Sequence, residues 1–259
     1  MVIFVVPAYN EEENIELLLK NLDLKMKQMN LDYRVILVND GSIDSTMEKA
    51  LTFIDSMPLE IINHEINKGV GQVFRTGLSR ALELARNNDI IVTKEADNTS
   101  DLDILSKMIE KIYSGDEVVL ASCYAPGGKI IGTTIIRIIL SFWANFIIKV
   151  LFSIKSVHTY SSFYRAYKTE TLRKAFKAYQ NKLIEDDGFT CMVEMLIKLS
   201  RLPIKITEVP MVLRCNFRKG TSKMNKSKNI IDYFSLISKE LRYSRNNIKS
   251  IVARYKGNV

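Results

Sequence analysis

Through the first half of the chain, short apolar runs alternate with stretches of helical periodicity, and this alternation constrains the fold more than any other feature. The runs are Val2–Val6, Tyr33–Val38, Leu59–Asn63, Asp89–Thr93 and Val118–Ser122. Amphipathic patterns fill the intervals, clearest in Ile15, Leu17, Leu18 and Leu22 and again in Leu78, Ala81, Leu82 and Ala85. Strands apolar on both faces must be covered on both faces. Runs of this kind joined by helices therefore predict an α/β fold, a mostly parallel sheet flanked by helices. Ligands of such sheets sit at the carboxyl ends of the strands. Polar residues stand there in this chain: Asn10-Glu11, Asp40-Gly41-Ser42 and Glu95-Ala96-Asp97.

The second half reads differently. Residues 130–154 are rich in Ile and Phe and hold the single tryptophan, Trp143. Their longest charge-free stretch, Ile138–Ile148, has 11 residues, short of the roughly 20 that a membrane span needs. Arg137, Ser141, Asn145 and Lys149 recur every fourth residue, which on a helix makes one narrow polar stripe. Such a helix is either a core helix with a solvent-facing stripe or an interfacial helix whose stripe turns toward a polar site. A strand is expected at Ser162–Lys168. The acidic cluster Glu185-Asp186-Asp187 follows, ahead of a helix from Phe189 to Leu199, and then one more strand at Ile204–Val209. From Asn229 to Tyr255, apolar residues three, four or seven apart lie among basic ones, predicting a basic amphipathic helix or helix pair. It either packs on the domain or meets a membrane or partner. The expected organisation is a domain over residues 1–225, including amphipathic interface helices at 130–154, and a helical tail over 226–259.

Charge follows the same division. The net charge of +8 is uneven: Arg201 to Val259 holds 14 Lys+Arg against 3 Asp+Glu, so the first 200 residues are slightly acidic. A basic tail calls for an anionic partner, phosphates or a membrane surface. It carries no readable nucleic-acid motif, so no nucleic-acid partner is expected. Three scattered cysteines and two histidines leave little material for a disulfide framework, a structural zinc site or a Ser-His-Asp triad. A reducing, cytoplasmic setting fits. The opening run Val2–Val6 is broken by Pro7 and is too short for a signal peptide.

Two strand ends carry chemistry. The pair Glu95 and Asp97, one residue apart, suits a hard divalent cation, Mg²⁺ or Mn²⁺, shared with substrate phosphates. Acids after strands also commonly cap the next helix. Gly69 and Gly71 could open a phosphate-binding helix terminus. Phe74 breaks the dinucleotide-binding glycine pattern, and no P-loop is present.

In order, Pro7-Ala-Tyr-Asn-Glu11, Val38-Asn-Asp-Gly-Ser42, Asn67-Lys-Gly-Val-Gly71 and Glu95-Ala-Asp97 resemble family 2 glycosyltransferases of the GT-A fold. Tyr124-Ala-Pro-Gly-Gly128, Arg137 with Ser141 and Asn145, and Arg218-Lys-Gly-Thr-Ser-Lys223-Met224 resemble the polyprenyl-phosphate branch, that of dolichyl-phosphate mannose synthases. The resemblance covers residues 1 to about 225. It implies that Pro7, Tyr9, Glu11, Asp40, Lys68 and Gly69 surround a sugar nucleotide, GDP-mannose or UDP-glucose. Asp97 would ligate the metal with help from Glu95. Arg137, Ser141, Arg218, Ser222 and Lys223 would hold phosphate groups, including that of a polyprenyl phosphate acceptor. It also implies an enzyme at the cytoplasmic face of a membrane, and because the branch's usual membrane-spanning helices are not read in this sequence, the expected attachment is peripheral. The chain departs from the branch where Glu95 replaces the usual Asp, where Cys123 replaces an Arg, and in Val157-His-Thr-Tyr-Ser-Ser162, which lacks the branch's acidic residue. Two alternatives stand beside this reading. One is transfer to a saccharide hydroxyl with Asp186 or Asp187 as base, and the other is a catalytically silent membrane-surface module.

Overall fold

The structure is a computed structural model and describes residues 1–152, 154, 157–220, 226–243 and 245–257. The chain runs β1 (Val2–Ala8), α1 (Ile15–Gln28), β2 (Tyr33–Asp40), α2 (Thr46–Leu51), β3 (Leu59–His64), α3 (Val70–Leu84), β4 (Ile90–Thr93), α4 (Leu105–Tyr113) and β5 (Val118–Ser122). It continues with β6 (Lys129–Ile131), α5 (Ile135–Phe152), β7 (Arg165–Lys168), α6 (Thr169–Ala178), α7 (Cys191–Ser200), β8 (Ile206–Pro210), β9 (Val212–Arg214), α8 (Lys226–Leu241) and α9 (Arg245–Lys256). Among the described residues, seven strands form one sheet in the order β3-β2-β1-β4-β7-β5-β8. All neighbours are parallel except β7, which runs antiparallel to both β4 and β5.

Both faces of the sheet are covered, as the unbroken apolar runs require. Alternate residues of each strand enter opposite cores. Ile3, Val5, Ile36 and Val38 meet α3, α6 and α7 on one side, and Phe4, Val6, Val35 and Leu37 meet α1 and α4 on the other. Burying each such side chain contributes about 1.5–3 kcal/mol, so the strands are a rigid base for the loops at their carboxyl ends. Gly77 lets α3 lie flush on that base, since a Cβ there would strike Val5 and Val38.

Three local differences from the sequence reading have physical causes. The strand expected from Ser162 begins at Arg165, because Phe163 gives its backbone to side chains: its N–H goes to Glu95 Oε1 (3.2 Å) and its C=O accepts from Thr93 Oγ1 (2.6 Å). The helix expected from Phe189 begins at Cys191, because the Asp186 carboxylate captures Gly188 N–H (2.6 Å) and the Thr190 hydroxyl in a turn before it. A two-stranded parallel sheet, β6 with β9, went unseen because three residues per strand leave no pattern to read.

The helix α5 is long and apolar enough, by length and composition alone, to cross a membrane. The sequence expectation rested on the shorter uncharged core between Arg137 and Lys149. Most of its apolar side chains stand in solvent, with Phe142, Trp143, Phe146 and Ile147 each about half exposed. The middle of its polar stripe faces the domain instead: Asn145 is buried, accepting Tyr160 N–H (2.7 Å) and donating to Ser141 O (2.8 Å). A core helix with an outward stripe is therefore not what forms. At the other end of the chain, α8 and α9 fold back onto the domain through Leu236 and Ile251. Ion pairs Arg201–Glu240 and Lys239–Glu194 hold α8 there, while its Ile230, Ile231 and Phe234 stay exposed.

Candidate active site

The loops after β1 and β2 are laced together. Asn10 takes a left-handed backbone (φ 53°), which turns its N–H to Ser42 Oγ (2.9 Å) and its side-chain oxygen to Ile43 N–H (2.9 Å). Glu11 N–H donates to Thr46 Oγ1 (2.7 Å), and Glu12 N–H donates to Asp44 (3.2 Å). Pro7, Tyr9 and Glu11 line this edge, each partly exposed.

Asp40 ends β2 and is almost wholly buried. Its Oδ1 meets His64 Nδ1 (2.8 Å) and Lys68 N–H (3.0 Å), and its Oδ2 accepts Gly69 N–H (2.9 Å). The carboxylate thus ties down the turn that opens α3, and the amides of Lys68 and Gly69 are already engaged. The Lys68 side chain is exposed. Gly69 and Gly71 serve a close approach: a Cβ on either would collide with the backbone of Asp186 or Asp187, and Gly71 N–H donates to Asp187 O (3.0 Å). The acidic cluster therefore sits against the start of α3. Asp187 pairs with Arg75 and is mostly exposed. Glu185 pairs with Lys198 and Lys239.

Glu95 and Asp97 follow β4. The Glu95 oxygens accept from Phe163 N–H and from the Ser100 hydroxyl (3.0 Å). Asp97 Oδ1 accepts both Thr99 N–H (3.0 Å) and the Thr99 hydroxyl (2.7 Å), and its Oδ2 faces the guanidinium of Arg218. Arg218 follows β9 on a segment that reaches across from the far edge of the sheet. Lys94, just before the pair, is fully buried, with Nζ on Ser100 O (3.0 Å) and over the Tyr164 ring (4.9 Å). Burial pulls its pKa down to about 8, and the nearby Glu95 and Asp101 charges only partly oppose this.

The β6–β9 pair brings the starts of two further segments together. From β6 the chain enters α5 and Arg137, and from β9 it enters the Arg218 segment. A Cβ on Gly132 would strike Asn216. Burial pushes the Cys215 thiol up while the exposed Arg137 guanidinium works against it, so Arg137 lies within electrostatic reach of that segment. Ser141 faces Tyr124, whose phenol is pushed up by burial and held down by that hydroxyl. Cys123, in the position where the branch has Arg, is buried. Ser222 and Lys223 lie outside the described residues.

The structure thus draws the predicted residues into two groups at one edge. Asp40 with Lys68, Gly69 and the acidic cluster forms one, and Glu11, Glu95, Asp97 and Arg218 form the other. Arg137 and Ser141 approach the second. Sequence reasoning missed His64, whose ring fixes Asp40, and Asn14, which bonds both Glu11 and the Arg218 segment. His64 directly follows the predicted run Leu59–Asn63, a strand-end position that gave a usable signal. Asn14 reads as an ordinary helix cap and gave none.

This architecture is the GT-A fold. It is shared, across 99% of this chain and 80% of the other, with Mycobacterium tuberculosis glucosyl-3-phosphoglycerate synthase in complex with UDP (TM-score 0.60, 15% identity). It is shared also with S. aureus TarS residues 1–349 in complex with UDP-GlcNAc (TM-score 0.61, 17% identity), across 98% of this chain and 71% of the other. Residues 3–176 match the family described as Glycosyl transferase family 2, and the chain belongs to that family. Among curated relatives, the dolichol-phosphate mannosyltransferase of Pyrococcus furiosus is 28% identical over 240 residues. The match takes in 92% of this chain and spans 63% of that relative's length. The undecaprenyl-phosphate mannosyltransferase of Micrococcus luteus is 28% identical over 86% of this chain and 87% of its own. The polyprenol monophosphomannose synthase of Mycolicibacterium smegmatis is 24% identical over 86% of this chain and 80% of its own.

Proposed function

We propose that this glycosyltransferase moves a hexose, mannose or glucose, from a GDP- or UDP-sugar to a polyprenyl phosphate at the cytoplasmic face of a membrane. The observation that carries the reading is the setting of α5. Its polar stripe bonds to the domain where Asn145 accepts Tyr160 N–H, Arg137 near its start lies within electrostatic reach of Cys215 just before the Arg218 segment, and its aromatic and aliphatic faces stand in solvent. A helix so placed can lie in a bilayer interface and bring a lipid phosphate to the site. The names of the relatives support the same acceptor class.

Pro7, Tyr9, Glu11 and the loop framed by Asp40, with Lys68 and Gly69, would border the nucleotide. Asp97 suits a divalent metal, since its Oδ2 already faces a positive group while Oδ1 is fixed by Thr99. Glu95, with both oxygens bonded to neutral donors, would support rather than lead. Related structures that hold Mn²⁺ with UDP favour Mn²⁺ or Mg²⁺. When bound, the metal would neutralise charge gathering on the leaving nucleoside diphosphate.

The reaction is a single inverting displacement. An oxygen of the lipid phosphate attacks the anomeric carbon, and the bond to the nucleoside diphosphate breaks with its electron pair leaving on that diphosphate. The attacking phosphate is already anionic at neutral pH, so no strong base is needed. Arg137, Ser141 and Arg218, with Ser222 and Lys223, would hold the phosphates of donor and acceptor. Arginine forks match phosphate oxygens in pairs. Positioning and charge stabilisation supply the rate.

The test is incubation of the purified chain with Mg²⁺ or Mn²⁺, short-chain polyprenyl phosphate and a panel of labelled GDP- and UDP-sugars. Label entering the lipid fraction from one donor, and lost with chelator, is the expected result. Donor hydrolysis without lipid product would defeat the proposed acceptor. Because Trp143 is the single tryptophan and stands on the exposed face of α5, its emission should shift to the blue on anionic vesicles. An unmoved spectrum would defeat interfacial attachment through this helix.

A further inference from the structure

We infer that Asn14 is a positioning residue that clasps the Arg218-bearing segment over the acid pair, an inference resting on the transfer reaction proposed above. Asn14 stands at the amino end of α1, where an Asn ordinarily caps the helix with its side chain. Here it makes no cap bond. Its side chain is buried and spent elsewhere. Nδ2 donates to Glu11 Oε2 (2.7 Å) and to Lys219 O (3.0 Å), and Oδ1 accepts Lys219 N–H (3.0 Å). One carboxamide thus pairs with both backbone groups of a residue 205 positions away, as a neighbouring strand would. Only a group with donors and an acceptor together can do this.

The backbone of Asn14 completes a ring. Asn98 Nδ2 donates to Asn14 O (2.9 Å), and one residue on, Thr99 O accepts Arg214 N–H (2.8 Å). The segment bearing Arg218 is therefore tied at its start to the acid loop by main-chain bonding, and near its end to α1 by the Asn14 side chain. Arg218 lies between the two ties, facing Asp97. Asn14 also fixes Glu11 on the nucleotide side, so one side chain sets the spacing of donor loop, acid pair and arginine. Its effect on the reaction passes through Arg218.

Two variants and one cycle test this. Asn14→Ser keeps helix-capping capacity and removes the clasp. Asn14→Asp keeps an acceptor for Lys219 N–H, loses both donors and sets a carboxylate against Glu11. Asn14→Ser should melt near the wild-type temperature while hydrogen exchange at the Lys219 amide accelerates by about tenfold or more; Asn14→Asp, which keeps that acceptor but sets a buried carboxylate beside Glu11, should melt lower and accelerate that exchange less. The catalytic constant for lipid transfer should fall about tenfold, donor KM should rise as Glu11 loses its partner, and Asn14→Ser should lower the catalytic constant no further in an Arg218→Ala background. Unchanged exchange at Lys219 would overturn the clasp. Losses that multiply in the double variant would overturn action through Arg218. Should the wild-type chain transfer no sugar to lipid, the proposed function fails by itself, and the exchange measurement still decides the clasp.

Discussion

Asp40 closes β2 and Asp97 follows β4, strands that lie on opposite sides of β1, and both carboxylates are buried. Their partners differ in kind. Asp40 is held by two backbone amides and a buried imidazole, none of which can withdraw without dismantling the turn into α3. Asp97 gives one oxygen to its own turn at Thr99 and the other to Arg218, a long side chain about one-third exposed on a tethered segment. On the function proposed above, burial and strand-end position are therefore poor guides to a reactive carboxylate. The freedom of the partner distinguishes a framing acid from one that can exchange its cation.

The sharpest way to break this comparison is Asp97→Asn. Transfer should fall by at least about a hundredfold, roughly 2.7 kcal/mol of barrier, with the melting temperature almost unmoved. Turnover and metal dependence that survive the change would remove Asp97 from the chemistry. Asp40→Asn should do the reverse. It sets an NH₂ group among donors already pointing inward, at a cost of about 2–4 kcal/mol. In a chain of this size that lowers the melting temperature by roughly 5–12 °C. Lost donor binding with an unchanged melt would instead mean that Asp40 touches the nucleotide directly.

The sheet was legible because strands buried on both faces leave unbroken apolar runs. The five apolar runs and the two further strands expected from the sequence correspond to the seven strands of the main sheet. The site was legible only as far as it is local. Glu95-Ala96-Asp97 and the Asp40 turn announce themselves by position after a strand. The Arg218–Asp97 contact spans 121 positions and the Asn14–Lys219 pairing spans 205, and no periodicity encodes either. Nor does a pattern of alternate polar residues say which way a stripe turns. The direction of the α5 stripe is decided by Tyr160 N–H reaching Asn145, a contact of the folded state alone.

A third carboxylate sharpens the framing side of the comparison. Glu194 on α7 is fully buried. It accepts the N–H groups of Glu185 (2.7 Å) and Asp186 (2.9 Å), and pairs with Lys198 and with Lys239 of α8. Burial pushes its pKa up, but the two lysines and the Asp186 N–H outweigh that and hold it below the usual glutamate range. A depressed folded pKa adds stability that is complete above the unfolded value, near 4.5, and is lost as pH falls through the folded value. Glu194→Gln should therefore cost about 1–3 kcal/mol at neutral pH. The gap from wild type in urea midpoint should close as pH drops below about 4.5. A gap that stays constant with pH would mean that the lost contribution is packing and not charge.

The smallest expected effect belongs to the acid that looks most available. Asp187 is mostly exposed at the mouth of the site, paired with Arg75, while its backbone carbonyl rather than its carboxylate secures Gly71. An exposed pair of this kind contributes about 0–1 kcal/mol. Asp187→Asn should thus leave the melt within about 0.5 kcal/mol of wild type, and transfer to a phosphate acceptor should be nearly unchanged, because an anionic nucleophile has no proton to remove. Asp186 is the poorer candidate base, since its oxygens are engaged by Gly188 N–H and the Thr190 hydroxyl in the turn before α7. The measurement is the rate of label transfer by Asp187→Asn to polyprenyl phosphate and, in parallel, to a saccharide acceptor. If the variant folded normally yet lost transfer to a saccharide that the wild type uses, Asp187 would be the general base and the acceptor a hydroxyl. The loop against α3 would then join Asp97 on the chemical side of the comparison.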